Sequence, residues 1–461
     1  MDKRIVDFLD AVCLHIRCRE IHKDIRDEIT NHIDELTEEY EKQGYDNDRA
    51  IDMAISAMGD CDKIGRRLDK QHRPRTEWSL IGLTAIIAVI GGIVMFTSSK
   101  FESGQAVSFQ KYLLFSVVGV AVLAGMYLFD YTRLKKLALP MYFIALLMVL
   151  FSIFTGAKVN GRSYLVIGRM TISSDYTLIM FMAAIAGFIE KSRSKGGKAF
   201  AGVLVLAFIS LLAVMALPSY STAIVLAVCY VVLILTSVIK NHFGGNRKTQ
   251  LASLGGISVF VFCCISYYIT TRPDRILSFI TRGKSDPSGA GYAQIMADKW
   301  LAASSLLGKT TGTVNGYYID KGMPDLTTSY VLVNIIATLG WVVGIALILA
   351  VAVYIGRMFL TTRKIKNNFG LLLSLGASTT LSVQFILCIL VNLNLFPLMS
   401  TNMPFVSYGG VGYAVNMALA GLILSIWRRN NVIGTSPKAV VEKSKKFIVF
   451  EDGRLIINFK A

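Results

Sequence analysis

From Trp78 to Trp427 the chain is a succession of apolar runs separated by shorter polar segments. A helix that crosses a bilayer needs about 20 mostly apolar residues. By that measure, spans are expected near 78–97, 109–129, 137–154, 175–189, 200–216, 221–239, 252–271, 327–356, 369–393 and 406–427. The pattern before Trp78 is different. Ile21, Ile25, Ile29, Ile33 and Leu36 recur at helical spacing on a highly charged background, and Ile51, Ala54 and Met58 follow before a stop at Gly59-Asp60. Residues 1–77 are therefore expected to form a small soluble helical domain, and with no apolar core to their first stretch a cleaved signal peptide is not expected. The segment 431–461 is polar up to Lys446, and its two apolar runs around Asp452-Gly453 predict a β-hairpin. The expected fold class is an all-α polytopic membrane protein of about ten transmembrane helices with a small N-terminal helical domain and a polar tail.

Composition agrees with that reading. At 53% hydrophobic and 17% charged over 461 residues, the chain is too apolar for a soluble enzyme. The net charge of +17 raises nucleic acid as a partner, but its placement excludes it. Arg133, Lys135 and Lys136, then Lys191, Arg193, Lys195 and Lys198, then Lys240, Arg247 and Lys248, then Arg357, Arg363, Lys364 and Lys366, and finally Arg428 and Arg429 fall at alternate connections. Basic residues in alternate short loops mark the cytoplasmic side. Both termini are thereby expected inside a plasma membrane and the 272–326 connection outside. The seven cysteines fall in the N-terminal domain or in apolar runs, which leaves no outer pair to form a disulfide.

The outer connection has its own chemistry. Loops longer than about 12–15 residues are usually functional or disordered, and this one brings glycine-rich turns, aromatics and the carboxylates Asp274, Asp286, Asp298, Asp320 and Asp325. Charges are almost absent from the helix centres, where ion-coupled carriers keep ionisable groups. A coupled transporter is therefore disfavoured.

The end of the chain carries the strongest motif: Asn392, Phe396-Pro397, then Asn402-Met403-Pro404-Phe405-Val406-Ser407-Tyr408-Gly409-Gly410, Asn416, Gly421 and Arg428-Arg429. It resembles the SEDS family of shape, elongation, division and sporulation proteins (RodA, FtsW and SpoVE types), whose signature is a P-F-x-S-Y-G-G entry to the last helix. Asn160-Gly161, Gly168, Pro218 with Thr222-Ala223, Arg275, Asp286-Pro287 with Gly289, Gly291 and Tyr292, Gly308-Lys309 and Pro324-Asp325 follow the family's order. The resemblance covers residues 78–430. Within the N-terminal domain, EITNHIDEL and AISAMGDCDKIGRRL look like the cytoplasmic prefix domains fused to some Gram-positive permeases.

The resemblance implies peptidoglycan synthesis. Family members polymerise glycan strands from lipid II beside a class B penicillin-binding protein, in a membrane whose lipids surround the groove. The chemistry needs a carboxylate to take the acceptor hydroxyl proton, and positive charge or a divalent metal, Mg or Mn, to hold the pyrophosphate. Arg275 and Lys309 are the implied phosphate-facing cations. Asn402, Pro404, Ser407, Tyr408, Gly409 and Gly410 form the implied substrate-binding entrance to the last helix. The family's catalytic Asp, however, falls on Ser329, with Thr327 in place of the preceding His. The Q-P-S-E motif with its following Lys reads Ser173-Ser174-Asp175-Tyr176 with Ile179, and the P-D-x-G-T motif has Ser219 for its Asp.

Two roles for Asp325 stand open. If Pro324 begins a helix, Asp325 and Ser329 share one face one turn apart, and Asp325 serves as the base; or an acid in that first turn simply stabilises the helix dipole. The functional alternatives are a lipid II glycosyltransferase working through Asp325 and a non-catalytic homologue that binds lipid II or a wall-synthesis partner as scaffold. Lipid II translocation would require a polar path across the membrane, and the chain offers no charged one.

Overall fold

The computed structural model describes residues 2–16, 22–72, 76–100, 109–155, 157–159, 162–167, 170–217, 219–252, 255, 266, 270–271, 273–282, 284, 286, 288–289, 291–310, 313–314, 316, 318–397, 399–430, 448–451 and 454–457. It divides into two units, one of residues 1–76 with 428–461 and one of residues 77–427.

In the first unit four helices follow one another, α1 (Lys3–Leu14), α2 (His22–Lys42), α3 (Asn47–Met58) and α4 (Cys61–His72). Asp2 caps α1 by accepting the Arg4 N–H at 2.9 Å. Ile25, Ile29 and Ile33, one turn apart on α2, close over Ile5, Leu9 and Val12 of α1 and Ala54 of α3. Ile21 of the expected stripe lies outside the described residues. A Cβ at Gly65 would stand 2.7 Å from the Val12 carbonyl oxygen, so only glycine lets α4 approach α1 this closely. Near the chain's other end, strands at Ile448–Glu451 and Arg454–Ile457 pair antiparallel from Ile448↔Ile457 to Glu451↔Arg454. Their Asp452-Gly453 turn lies outside the described residues.

The second unit is a bundle of α5 (Trp78–Ser98), α6 (Phe109–Leu128), α7 (Arg133–Thr155), α8 (Tyr176–Lys191), α9 (Gly196–Met215), α10 (Tyr220–Ile239), α11 (Pro273–Ile280), α12 (Tyr292–Ala303), α13 (Ile319–Gly322), α14 (Val331–Leu339), α15 (Trp341–Arg363), α16 (Asn368–Asn392) and α17 (Gly410–Arg428). Among the described residues eight helices are long and apolar enough to cross a membrane: α5, α6, α7, α9, α10, α15, α16 and α17. Helix α8 is shorter, at 16 residues, and is buried from Phe181 through Ile189. Its small residues explain that position, since a Cβ at Gly187 would stand 2.5 Å from the Ala138 Cβ of α7. Helices α10, α16 and α17 are also largely buried, and α5, α6 and α7 turn most of their apolar surface outward. The expected span at 252–271 lies mostly outside the described residues.

The expected continuous helix over 327–356 is instead two helices. Gly340 breaks it with φ +94°, and the chain at 305–308 fills the break. Ser305 and Leu306 carbonyls accept the N–H groups of Trp341 and Val342, each at 3.1 Å, and the Gly308 N–H donates to Leu339 O at 3.2 Å. The broken ends are thus satisfied by another backbone segment, as an apolar setting requires. A second difference lies between α7 and α8. There β1 (Ala157–Val159), β2 (Arg162–Ile167) and β3 (Met170–Ile172) form an antiparallel meander, and the landmarks Asn160-Gly161 and Gly168 lie outside the described residues.

The basic clusters sit at one set of helix ends, at the starts of α7, α9 and α16 and the ends of α8, α10, α15 and α17. Glu190 lies among them, 3.4 Å from both Lys135 and His242, and Asp130 lies 3.9 Å from Arg133. The opposite ends carry the connections that hold the polar residues described next.

Candidate functional site

Residues 324–330 form a turn, not a helix start. Asp325 has φ +51°, and its carbonyl accepts the N–H groups of Thr328 at 3.2 Å and Tyr330 at 3.0 Å. The physical reason is local. Leu326 and Tyr330 bury themselves with Trp300, Met296 and Met323 in the core over α12, and inserting Leu326 there takes the chain out of helical register. Both sequence-based placements of Asp325 are corrected by this. Asp325 and Ser329 do not share a helix face, and Asp325 is not in the first turn of α14, which begins at Val331.

The capping role falls to Asn392 at the end of α16. Its Oδ1 accepts the N–H groups of Leu332 and Val333 at 3.0 and 3.1 Å, and its Nδ2 donates to the Ser329 carbonyl at 2.7 Å. The two carbonyls before it are held by the 402–410 segment. The Ser407 hydroxyl donates to Thr328 O at 2.8 Å, and the Tyr408 N–H donates to Thr327 O at 2.8 Å. Carbonyls 327, 328 and 329 are therefore each held by a residue of the C-terminal motif.

That motif is itself locked. Ser407 Oγ accepts the Met403 N–H at 2.8 Å, so its hydroxyl serves the fold. Phe405, at φ +64°, is fully buried between the rings of Tyr354 and Phe385. Gly91 of α5 makes room for the segment, because a Cβ there would stand 2.8 Å from Val406 Cα. Gly410 lies against Phe115, and the Tyr408 ring meets the same Phe115 edge to face at 6.3 Å. Pro404 lies in the turn beside Phe405.

With its turn pinned, the Asp325 side chain stays exposed while Ser329 is buried. The protein packed around the Asp325 carboxyl raises its pKa above the ordinary carboxylate range, opposed by the positive charge of Arg275 on α11. Arg275 is thus near enough for its charge to act on Asp325. Lys309 is not. It stands between Gly308 and Thr310, which bond to Leu339 and Ala337 at the far end of α14, about 12 Å of helix from the end that Asp325 precedes.

A second polar cleft was not anticipated from the sequence. It is lined by Asp175, Ser221, Thr222, Gln384, Thr401 and Asn402. The Asp175 carboxylate comes within 2.8 Å of where a Gly412 Cβ would be, and the Asn402 amide within 3.5 Å, at the N-terminal turn of α17, where the helix dipole favours an anion. Ser173 Oγ donates to Asp175 at 2.9 Å. Beside it, hydroxyls chain from Ser174 to Ser219 at 2.9 Å and from Ser219 to Thr222 at 2.8 Å. The 173–176 stretch departs from Q-P-S-E yet keeps a carboxylate. The available signal was the position of Asp175, an acid directly before a long apolar run.

Among the described residues, Asp60, Cys61 and Asp62 are the one group of three or more acids, cysteines or histidines close enough to share a metal, and they are largely exposed in the first unit. At the Asp175 cleft the donor set is one carboxylate with neutral oxygens, among them the buried Thr401 hydroxyl. That set suits Mg2+ or Mn2+, which take oxygen donors and are commonly completed by substrate phosphates.

Comparison with known proteins gives a consistent picture. Residues 75–432 match the family model for FtsW, RodA and SpoVE, described as cell cycle proteins. The chain is 25% identical to a probable peptidoglycan glycosyltransferase FtsW of Trichlorobacter lovleyi, over 76% of this chain and 93% of the relative. It is 23% identical to the stage V sporulation protein E of Bacillus subtilis, over 76% and 96%. Among solved structures, it superposes with a TM-score of 0.60 on a chain from a peptidoglycan synthase complex that coordinates polymerization and crosslinking, at 19% identity over 77% of this chain and 98% of that one. The rod shape determining protein RodA of Thermus thermophilus superposes with a TM-score of 0.55 at 17% identity, over 77% and 97%.

Proposed function

This chain belongs to the FtsW/RodA/SpoVE family of cell cycle proteins, and on that premise we propose that it is a multi-pass bacterial plasma-membrane protein of peptidoglycan synthesis that acts on lipid II at its loop face, with Asp325 as the general base. The basic helix ends then face the cytoplasm with both termini, and the Asp325 turn faces outward. The observation that carries the reading is the Asp325 carboxylate. It is exposed on a turn pinned through three successive carbonyls, and its pKa is raised toward the range useful to a base.

In the reaction, the acceptor sugar hydroxyl forms a bond to the donor anomeric carbon as the bond from that carbon to the undecaprenyl pyrophosphate oxygen breaks. The hydroxyl proton passes to Asp325, and the pyrophosphate leaves with both electrons of the broken bond. Arg275 is the cation beside Asp325 that meets the charge on the leaving group. A divalent cation, held by Asp175 with Asn402 and Thr222, would neutralise pyrophosphate oxygens. Ser329 takes no part in proton transfer, because its backbone is tied to Asn392 and its side chain is buried. The likeness to a chain of a peptidoglycan synthase complex supports a class B penicillin-binding protein as partner.

A second reading, a non-catalytic scaffold that binds lipid II, is favoured by Ser219, a neutral residue where the family has an Asp, which is hydrogen-bonded to the Ser174 and Thr222 hydroxyls. Glycan-strand formation from purified lipid II, with Mg2+ or Mn2+ and a class B partner present, separates the two. Polymer from the wild type that is lost in Asp325→Ala establishes the base. Silence from the wild type with activity gained in Ser329→Asp sinks that assignment and leaves a degenerate enzyme, and silence from all three with lipid II still bound supports the scaffold.

A further inference from the structure

Beside the Asp325 turn, on the same loop face, an open cleft is lined by Phe279, Arg282, Gln294, Asp298, Leu393, Asn394 and Leu395. Its polar groups are arranged as an unfinished binding set. Gln294 of α12 is only 4% exposed, and its Oε1 has no hydrogen-bond partner. The Asn394 amide is oriented by two bonds from its Nδ2, to Gln294 O at 2.9 Å and to Asp298 Oδ1 at 2.8 Å. That orientation leaves Asn394 Oδ1 buried and also without a partner. A buried acceptor left unpaired is costly and uncommon, and here two line one cleft.

The charges in the cleft are of both signs. Asp298 is bonded to a neutral amide, and among the described residues no ion pair joins it to Arg282. Arg282 and Asn394 both hold left-handed backbone conformations, with φ +48° and +54°, which are uncommon away from glycine. Phe279, Leu393 and Leu395 supply an apolar wall. One cation, one carboxylate and two free amide oxygens beside an aliphatic surface complement a specific group.

We propose that this cleft binds a zwitterionic α-amino-acid group with an aliphatic side chain, its carboxylate on Arg282 and its ammonium among Asp298, Gln294 Oε1 and Asn394 Oδ1. The ammonium supplies the donors that the two orphaned oxygens lack, and the guanidinium matches a carboxylate in a forked, charge-assisted pair. A simple cation site would not need Arg282, which repels cations. A neutral sugar would leave both charges unmatched. The group can arrive as a free amino acid or as the end of a diaminopimelate side chain within a peptide, since both present ammonium and carboxylate on one carbon. The inference is independent of glycosyl transfer and holds for an enzyme or a scaffold.

The test is titration calorimetry of the purified full chain with norleucine, norleucine methyl ester, N-acetylnorleucine, a peptide with an internal diaminopimelate residue, and Mg2+ alone. Norleucine or the peptide should bind at least about tenfold more tightly than either capped form, since each cap removes one charge-assisted contact. Arg282 and Asp298 are exposed, so their variants are expected to fold. Arg282→Gln should weaken norleucine and leave the methyl ester unchanged, and Asp298→Asn should weaken norleucine and leave N-acetylnorleucine unchanged. Preference for the peptide over norleucine identifies the pendant source, and the reverse the free one. Equal binding of capped and uncapped forms, no binding of any probe, or binding of Mg2+ alone overturns the proposal.

Discussion

The Asn392 side chain donates to the Ser329 carbonyl at 2.7 Å while its oxygen accepts the N–H groups of Leu332 and Val333. One amide thus ends the Asp325 turn and starts α14. Asn392→Leu leaves the Ser329 carbonyl and the helix N–H groups unpaired in a buried setting, at about 1–3 kcal/mol for each group. Asn392→Asp keeps the acceptor and loses the donor, so the expected order of melting temperatures in detergent is wild type, then Asp, then Leu.

Asp325 makes stability and activity depend on pH in opposite ways. Its pKa is raised in the folded protein, so the folded state holds the proton more tightly than the unfolded state. The stability tied to that proton is complete below the unfolded value and is lost as pH rises through the folded one. Asp325→Asn should therefore melt above the wild type at neutral pH, with the gap closing as pH falls below the ordinary carboxylate range. Polymerisation by the wild type should rise with pH through the raised Asp325 pKa, since the base must be ionised. A rate that is flat across that range contradicts the assignment.

Gly340 links two helices at φ +94° with the Leu306 carbonyl 2.6 Å from where a Cβ would lie. Gly340→Ala therefore combines an unfavourable backbone conformation with a clash against backbone. The expected cost is about 1–3 kcal/mol, read as a lowered melting temperature. A neutral result would mean that the 305–308 segment is free to move away.

Gly91 admits the Val406 backbone, so Gly91→Val should displace the 402–410 segment and, through Ser407 and Tyr408, the turn that bears Asp325. Overpacking of this kind costs about 1–3 kcal/mol. Lipid II polymerisation should fall by more than the loss of folded protein explains. Gly92→Ala is the control, since its nearest neighbour is a Tyr112 ring atom 4.0 Å away.

Much of this was legible in the chain and some was not, for reasons visible at particular residues. Long apolar runs such as 78–98 and 341–363 declare helices because backbone polar groups in lipid have few other ways to be satisfied. The P-F-V-S-Y-G-G stretch declared the family, but not its work here, where Ser407 and the Tyr408 N–H clamp carbonyls 327 and 328. Spacing placed Asp325 and Ser329 on one helical face, whereas burial of Leu326 beside Trp300 turned the chain before the helix began. Asp175 departs from the family's Q-P-S-E pattern along the chain, and only the fold brings Asn402 and Gly412 beside it.

By itself the sequence determined the membrane-protein class, the family and the clustering of basic residues at one set of helix ends, because hydropathy, motif and charge are local properties written along the chain. Only the tertiary structure decided which carboxylates are presented, where the helix after the outer connection starts and breaks, and which polar atoms are left without partners. Those outcomes rest on contacts between residues far apart in sequence, such as Asn392 with Ser329 and Asn394 with Asp298, and no periodicity along the chain encodes such pairings.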